Sequence, residues 1–354
     1  MEYPTERVAE GLARLEVPAV LRRRGPGKRT ALPFYNPTMA VNRDLTVLAL
    51  RGLGEGHLFD GLTGCGALAA RVLQEAPGWR VTAADRNPLA VDLAAKNLQA
   101  NGGGKSVRAD LRAGVPPGDF THIDVDPFGT PAPFLEAVLR VPTLRTISVT
   151  ATDTGALCGV FPEACLRRYG IRAGRTPFAR EFGTRALLAF IAQEARRTGR
   201  SIAPLLTAAA EHFLKVVVRV GSSTADGLRH LEVDDRGEWR WTEDGLGPLW
   251  SGPLGDPEFL RHLSVPAWMP HRTTVLVSRL REESTAPAFY RTTSDIGRRL
   301  RRSVLPLEVL LRALRDAGFA ATRTHFAPDG FRTDANLDTV VRLGWGAPAE
   351  PHAP

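Results

Sequence analysis

At 354 residues, 43% of them hydrophobic, the chain exceeds one ordinary core and fits two domains at roughly 150 residues each. No apolar run approaches the ~20 residues that cross a bilayer, and "MEYPTERVAEGLARLEVP" has no apolar core behind a basic start, so neither a membrane role nor export is expected. The formal charge of +8 favours a polyanionic partner; arginine carries nearly all of it, lysine occurring only at Lys28, Lys96, Lys105 and Lys215.

Ahead of the first strand, "LPFYNPTMAVNRDLTVLAL" gives a non-helical stretch at Phe34 to Pro37. Asn42, Arg43 and Asp44 then begin or cap a helix with an apolar face at Leu45, Leu48 and Ala49. From residue 56 short apolar runs alternate with helical patterns, the mark of βαβ units around a parallel sheet. "GHLFD" reads as a strand and "GALAARVLQEA" as its helix. "RVTAAD" and "PLAVDLAAKNLQAN" repeat the unit, with Pro88 in the first turn of the helix and Gly102 past its end. "SVRAD", "THIDVD" and "LRTISVTATD" are three further strands, followed by a long helix over "FAREFGTRALLAFIAQEARRTG". "APLLTAAAEHFLKVVVRVG" reads as two strands meeting near Glu211. After Gly221 the pattern is lost in "DDRGEWRWTEDGLGPLWSGPLGDPEF". A strand "TTVLVSRL", a basic helical region and a helix "PLEVLLRALRDAG" follow. A domain boundary is expected near residue 220, giving 1–220 and 221–354.

Asp60, Asp85, Asp110 and Asp126 fall at strand ends and so line one edge of the sheet, where open α/β folds bind ligands. Gly61, Gly64 and Gly66 separate the first strand from its helix and let a backbone come close to a ligand, although a plain strand-to-helix turn would use the same glycines. Asp85 is placed to accept from ribose hydroxyls, which suits a nicotinamide nucleotide and S-adenosyl-L-methionine alike.

"DPFG" at Asp126 to Gly129 separates these two readings. An exocyclic amine on a base is a poor nucleophile because its lone pair is delocalised. The Asp126 carboxylate and the Pro127 carbonyl can accept from its two N–H groups and aim the lone pair at a methyl donor, while Phe128 stacks on the base. A dehydrogenase has no use for this sequence at the fourth strand. A strand end with a proline turn and Phe128 in the core is the plainer alternative. Phe34 and Arg43, ahead of the sheet, are placed to close over an adenosine.

"FYNPTMAVNRDL", "DVDPFGTPAPFLEAVL", "TATDTGALCG", "GPLWSGPL", "YRTTSDIGRRL" and "ATRTHFAPDGFRT" resemble the successive motifs of the tRNA (guanine-26-N2)-dimethyltransferases, in order along nearly the whole chain. The resemblance implies an α/β class I, Rossmann-like methyltransferase domain with a smaller α+β C-terminal domain that binds tRNA. It also implies S-adenosyl-L-methionine as cofactor, tRNA as partner, and one or two methylations of the 2-amino group of a guanine between the D and anticodon stems; no obligate protein partner is evident in the sequence.

By the same resemblance Phe34 and Arg43 contact the cofactor, while Asp60 and Gly64 are expected to bind it from their positions at the strand end and in the glycine loop. Asp85 holds its ribose, Asp110 and Leu111 its adenine, and Asp126, Pro127 and Phe128 hold the guanine. Leu68 stands where archaeal relatives have an arginine. No paired cysteines precede "GPLW", where some relatives bind zinc, so no metal is expected.

Cys65, Cys158 and Cys165 fit a reducing cytoplasm, and none lies in a base-attacking context, so direct transfer is expected. Eight arginines between Arg291 and Arg323 are a candidate phosphate footprint, or else a solvated helix face. "LRRRGPGKR" is a second basic run with no assigned role. A different base-amine methyltransferase, and a tRNA-binding protein with a vestigial pocket, are the alternative functions.

Overall fold

Pairing of the short apolar runs fixes the architecture, which in the computed structural model is described for residues 3–19, 31–221 and 227–346. Before the sheet comes an antiparallel hairpin, β1 (Thr5–Glu10) and β2 (Ala13–Pro18), then a 3-10 turn at Pro37–Met39 and α1 (Ala40–Leu53). Asn36 begins that turn with its side chain accepting from the Thr38 amide. Asn42, Arg43 and Asp44 therefore lie inside the first turns of α1 rather than capping it. Leu45, Leu48 and Ala49 are fully buried, as their spacing requires.

The βαβ units follow: β3 (Gly56–Asp60), α2 (Ala67–Glu75), β4 (Trp79–Asp85), α3 (Pro88–Ala100), β5 (Lys105–Arg108), β6 (His122–Val125), α4 (Ala132–Leu139) and β7 (Thr146–Ala151). Two short helices, α5 (Thr154–Leu157) and α6 (Pro162–Tyr169), lead to the long α7 (Ala179–Arg197) and to β8 (Ser201–Ala210) and β9 (Phe213–Gly221), which turn at Glu211. The strand order is β5-β4-β3-β6-β7-β9-β8, with β9 antiparallel to both neighbours and the β3–β7 set parallel. This is the class I methyltransferase arrangement, and helices on both faces explain why β6 and β7 are buried at every position.

The remaining elements are β10 (Leu228–Val233), β11 (Trp239–Thr242), β12 (Leu246–Trp250), α8 (Pro257–His262), α9 (His271–Glu282), β13 (Arg291–Thr292), α10 (Thr293–Leu300), α11 (Leu307–Asp316), β14 (Ala321–Arg323), β15 (Gly330–Thr333) and α12 (Leu337–Trp345). They form two small antiparallel sheets, β11-β10-β12 and β13-β15-β14, with helices.

The apolar core runs past residue 220. Leu231, Leu249 and Trp250 share it with Phe178 and Phe182, while Leu260, Val277 and Leu280 pack with α1, β3 and β8. A separate cluster begins at Ile296 and gathers Leu310, Leu314, Phe331, Val340 and Trp345.

Residues 273–280, expected as a strand, are helical within α9. The β-branched composition pointed one way, but Pro270 precedes the helix and Thr273, Val277 and Leu280 share a buried face at helical spacing. Burial against α1 decided the outcome.

Candidate active site

The carboxyl ends of β3, β4 and β6 open into a cavity of about 980 Å³. It sits where the strand order runs from β3 to β4 on one side and to β6 on the other, the reversal at which open α/β sheets bind ligands. All ten site residues expected from the sequence line it: Phe34, Arg43, Asp60, Gly64, Asp85, Asp110, Leu111, Asp126, Pro127 and Phe128.

The glycine loop and Asp85 form one hydrogen-bonded unit. Gly64 has φ +58°, and a Cβ there would lie 2.8 Å from the Phe34 carbonyl oxygen, so glycine is needed for the loop to pass. Its N–H donates to Asp85 Oδ2 at 3.1 Å, and the Asn87 N–H donates to Asp85 Oδ1 at 2.9 Å. A carboxylate has about four acceptor positions. These amides orient it, and its remaining acceptor capacity suits hydroxyl groups in the cavity.

Sheet register sets Asp60 directly beside Asp124. Burial first, and then the charge of Asp124, push Asp60 well above the usual carboxylate range, while the Thr63 hydroxyl donates to it at 2.6 Å. Crowded, partly buried acids favour a cationic ligand group. At the rim Asp110 is exposed and its carboxylate accepts from the Arg112 amide at 3.0 Å. Leu111 and Leu68 are buried apolar wall. An aromatic ring at Phe34, apolar walls, an oriented Asp85 and surplus negative charge fit a nucleoside with a cationic amino-acid end, as in S-adenosyl-L-methionine.

Arg43 lines the same cavity, but its guanidinium is held from behind. Nε and Nη2 donate to the two Glu10 carboxylate oxygens at 2.6 and 2.5 Å, and Nη2 also donates to the Asn36 carbonyl at 3.0 Å. Glu10 also pairs with Arg71, which is bound in turn by Glu75 and Asp44, and Asp44 accepts from Thr273 of α9. This cluster fastens the N-terminal hairpin, α1, α2 and α9 together behind the cavity. Burial raises Glu10, yet Arg43 and Arg71 outweigh it and hold the carboxyl down at about 2.

The D-P-F-G turn leaves β6 with Asp126 half-buried and Phe128 44% exposed. Gly129 is positioned from β7's end: its N–H donates to the Thr152 hydroxyl at 2.8 Å and its carbonyl accepts from the Thr152 N–H at 3.0 Å. The Phe34 and Phe128 rings meet edge to face, 4.5 Å between centroids and 72° apart, joining the N-terminal segment to the D-P-F-G turn across the cavity. Phe128 is at the opening and not in the core. Asp126 accepts from the Asn42 side-chain amide at 2.8 Å. Burial, and then the charge of Asp124, hold its carboxyl above the ordinary 3.8, with Lys215, Arg43 and Thr150 acting the other way.

Sequence reasoning did not single out Glu10, Asn42's contact with Asp126, Thr152 or Lys215. Asp124 is buried and accepts from Lys215 Nζ at 2.9 Å. A lysine inside the apolar run "FLKVVVRVG" was the available signal for a buried partner. The thiols are quiet: burial pushes Cys65 and Cys165 up to about 12 and Cys158 to about 11.

Much of the basic C-terminal run is paired internally, Arg291 with Glu238, Arg298 and Arg299 with Asp295, and Arg323 with Glu308. Among the described residues no group of three or more His, Cys, Asp or Glu side chains could hold a metal, and no helix is long and apolar enough to cross a membrane. "LRRRGPGKR" lies outside the described residues.

A family model described as N2,N2-dimethylguanosine tRNA methyltransferase matches residues 27–232 and 235–343. The tRNA (guanine(26)-N(2))-dimethyltransferase of Thermococcus kodakarensis is 32% identical over 372 aligned residues, which cover 95% of this chain and 98% of that protein. The protein of the same name from Archaeoglobus fulgidus is 30% identical, with 95% and 97% covered. Among solved structures, Trm1 from Pyrococcus horikoshii in complex with S-adenosyl-L-methionine superposes with a TM-score of 0.84 at 28% identity, over 96% of this chain and 99% of that one. With the cavity, the loop and the D-P-F-G turn arranged as described, and the match running through both halves of the chain, this protein belongs to the N2,N2-dimethylguanosine tRNA methyltransferase family.

Proposed function

We propose that this chain methylates the 2-amino group of guanine 26 of tRNA, once and then again, by direct transfer from S-adenosyl-L-methionine. When bound, the cofactor supplies an electrophilic methyl group. The chain's own residues do the rest. Asp85 orients toward ribose hydroxyls, Phe34, Gly64, Leu111 and the exposed Asp110 shape the nucleoside site, and Asp60 and Arg43 border it.

Asp126 and the Pro127 carbonyl accept from the amine, which fixes the base in its plane, and Phe128 covers one face. The guanine must leave its stack to reach them, at roughly a few kcal/mol. The proton released from the amine leaves through Asp126, whose raised pKa suits a general base. Residues 1–220 would form the catalytic part and 221–354 the part that carries the tRNA. Three free thiols support a reducing cytoplasm as the place of work.

The observation that carries this reading is Asp126 beside an exposed Phe128 at the mouth of the same cavity as Asp85. Asp126→Ala is expected to lower transfer by about 10²–10⁴-fold at unchanged cofactor affinity. Near-full transfer in that variant, with affinity unchanged, would remove Asp126 from the mechanism.

A further inference from the structure

A line of buried hydrogen bonds runs from the sheet interior to the one carboxylate at the base site. Lys215, fully buried on β9, donates to Asp124 Oδ1 at 2.9 Å and to the Thr150 hydroxyl oxygen at 3.1 Å. Thr150, fully buried on β7, donates to Asn42 Oδ1 at 3.1 Å. Asn42, 1% exposed on α1, donates through Nδ2 to Asp126 Oδ2 at 2.8 Å.

Donor and acceptor rules give the line a direction. An ammonium paired to a carboxylate has only donors, so Thr150 must accept from Lys215 and its single hydrogen points onward. Asn42 therefore receives that hydrogen on its carbonyl oxygen, and its NH2 must face Asp126. The opposite amide orientation would set Oδ1 against the Asp126 carboxylate, two acceptors with no hydrogen between them. Elements distant in sequence (α1, β6, β7 and β9) thus fix one proton pattern at the active site.

We propose that Asn42 and Thr150 are positioning residues for methyl transfer, with Lys215 as the anchor that sets their polarity: they hold the Asp126 carboxylate ionised and turned so that its remaining lone pairs meet the amine. This rests on the assignment of Asp126 to the base amine. The charged groups facing Asp126 are Asp124 on β6, Lys215 on β9, Arg43 on α1 and Asp60 on β3, with His212 lining the same cavity from the β8–β9 turn. Thr150 favours the ionised form of Asp126 and, with its one hydrogen on Asn42, acts through that amide. Loss of either donor raises the Asp126 pKa, so the acidic limb of the activity profile moves to higher pH.

The test compares Thr150→Val, Thr150→Ser, Asn42→Ala and Asp126→Ala in the full chain. Melting curves serve as the folding control, and kcat, both KM values and the kcat–pH profile are the readouts. For Thr150→Val and Asn42→Ala the expected result is a fall in kcat of roughly tenfold or more, the size of a lost charge-assisted hydrogen bond, with KM values for cofactor and tRNA within about twofold of wild type. The acidic limb should move up by about one pH unit, and Thr150→Ser should restore both kcat and profile.

Wild-type kcat and pH profile in both Thr150→Val and Asn42→Ala, with Asp126→Ala inactive, would overturn the positioning role alone. Activity retained in Asp126→Ala would instead remove the reading on which it rests. If Thr150→Val fails to fold, Asn42→Ala decides by the same readouts.

Discussion

Replacing Glu10 by glutamine keeps the side-chain shape and removes the charge that compensates Arg43. In the wild type the carboxylate accepts from Arg43 at 2.6 and 2.5 Å, from Arg71 Nη1 at 3.2 Å and from the Tyr35 hydroxyl at 3.0 Å. Arg71 keeps Asp44 and Glu75 in the variant, but Arg43 keeps no ion-pair partner among the described residues. Stranding one partner of a buried pair is worth about 3–5 kcal/mol.

A second route agrees. The carboxyl lies at about 2 instead of 4.5, despite burial, because Arg43 and Arg71 hold it ionised, which corresponds to roughly 3 kcal/mol. A depressed folded pKa gives stability that is present in full above the unfolded value and lost as pH falls through the folded one. The gap between wild type and Glu10→Gln should therefore be about 3–5 kcal/mol at pH ~7, begin to close below pH ~4.5 and vanish near pH ~2. Urea unfolding followed by far-UV circular dichroism measures it. A gap below ~0.5 kcal/mol at neutral pH, or one that widens on acidification, would refute the compensating role of Glu10.

Phe128→Ala should lower kcat/KM for tRNA by roughly 5- to 150-fold, equivalent to one lost base stack of about 1–3 kcal/mol, with cofactor affinity unchanged in calorimetric titration. Gly64→Ala forces a side chain into φ +58° and against the Phe34 carbonyl, so it should weaken cofactor binding about tenfold or more while tRNA binding stays near wild type in filter assays. Because burial and Asp124 raise Asp126, transfer in the wild type should decline on acidification well above pH 3.8; kcat measured across pH ~5–8 checks this, and a flat profile down to pH ~4.5 would count against Asp126 as acceptor.

Local signals made the central sheet legible. Alternating strands and helices with Pro88 and Gly102 as terminal marks gave β3 to β7, and acids at the strand ends gave the cavity edge, because both features depend on nearby residues. What resisted reading depended on pairing across the chain. The hairpin at Thr5 to Pro18 has the period-two pattern of strands, but the importance of Glu10, the last residue of its first strand, appears only when α1 and α2 bring Arg43 and Arg71 to it. Residues 273–280 were misjudged because β-branched composition outweighed the helical spacing of Thr273, Val277 and Leu280.

The arginine-rich stretch from Arg291 to Arg323 illustrates the same limit. Charge counting sees eight cations, whereas folding brings Glu238, Asp295 and Glu308 to several of them; Arg301 and Arg312 are exposed, with no ion pair among the described residues. That the D-P-F-G turn borders the cavity was readable from its place at the end of a strand. Its support by Asn42 and Thr152 was not, since both contacts bridge separate elements.

The central claim, that the amine of one tRNA guanine receives the methyl group, is tested most directly with two tRNA transcripts that differ only at position 26, one carrying guanosine and the other inosine, which lacks the 2-amino group. With labelled S-adenosyl-L-methionine the account predicts label on the guanosine transcript alone, recovered as N2-methylated guanosine at that position. Equal labelling of the inosine transcript, or label recovered on an adenine, would contradict it.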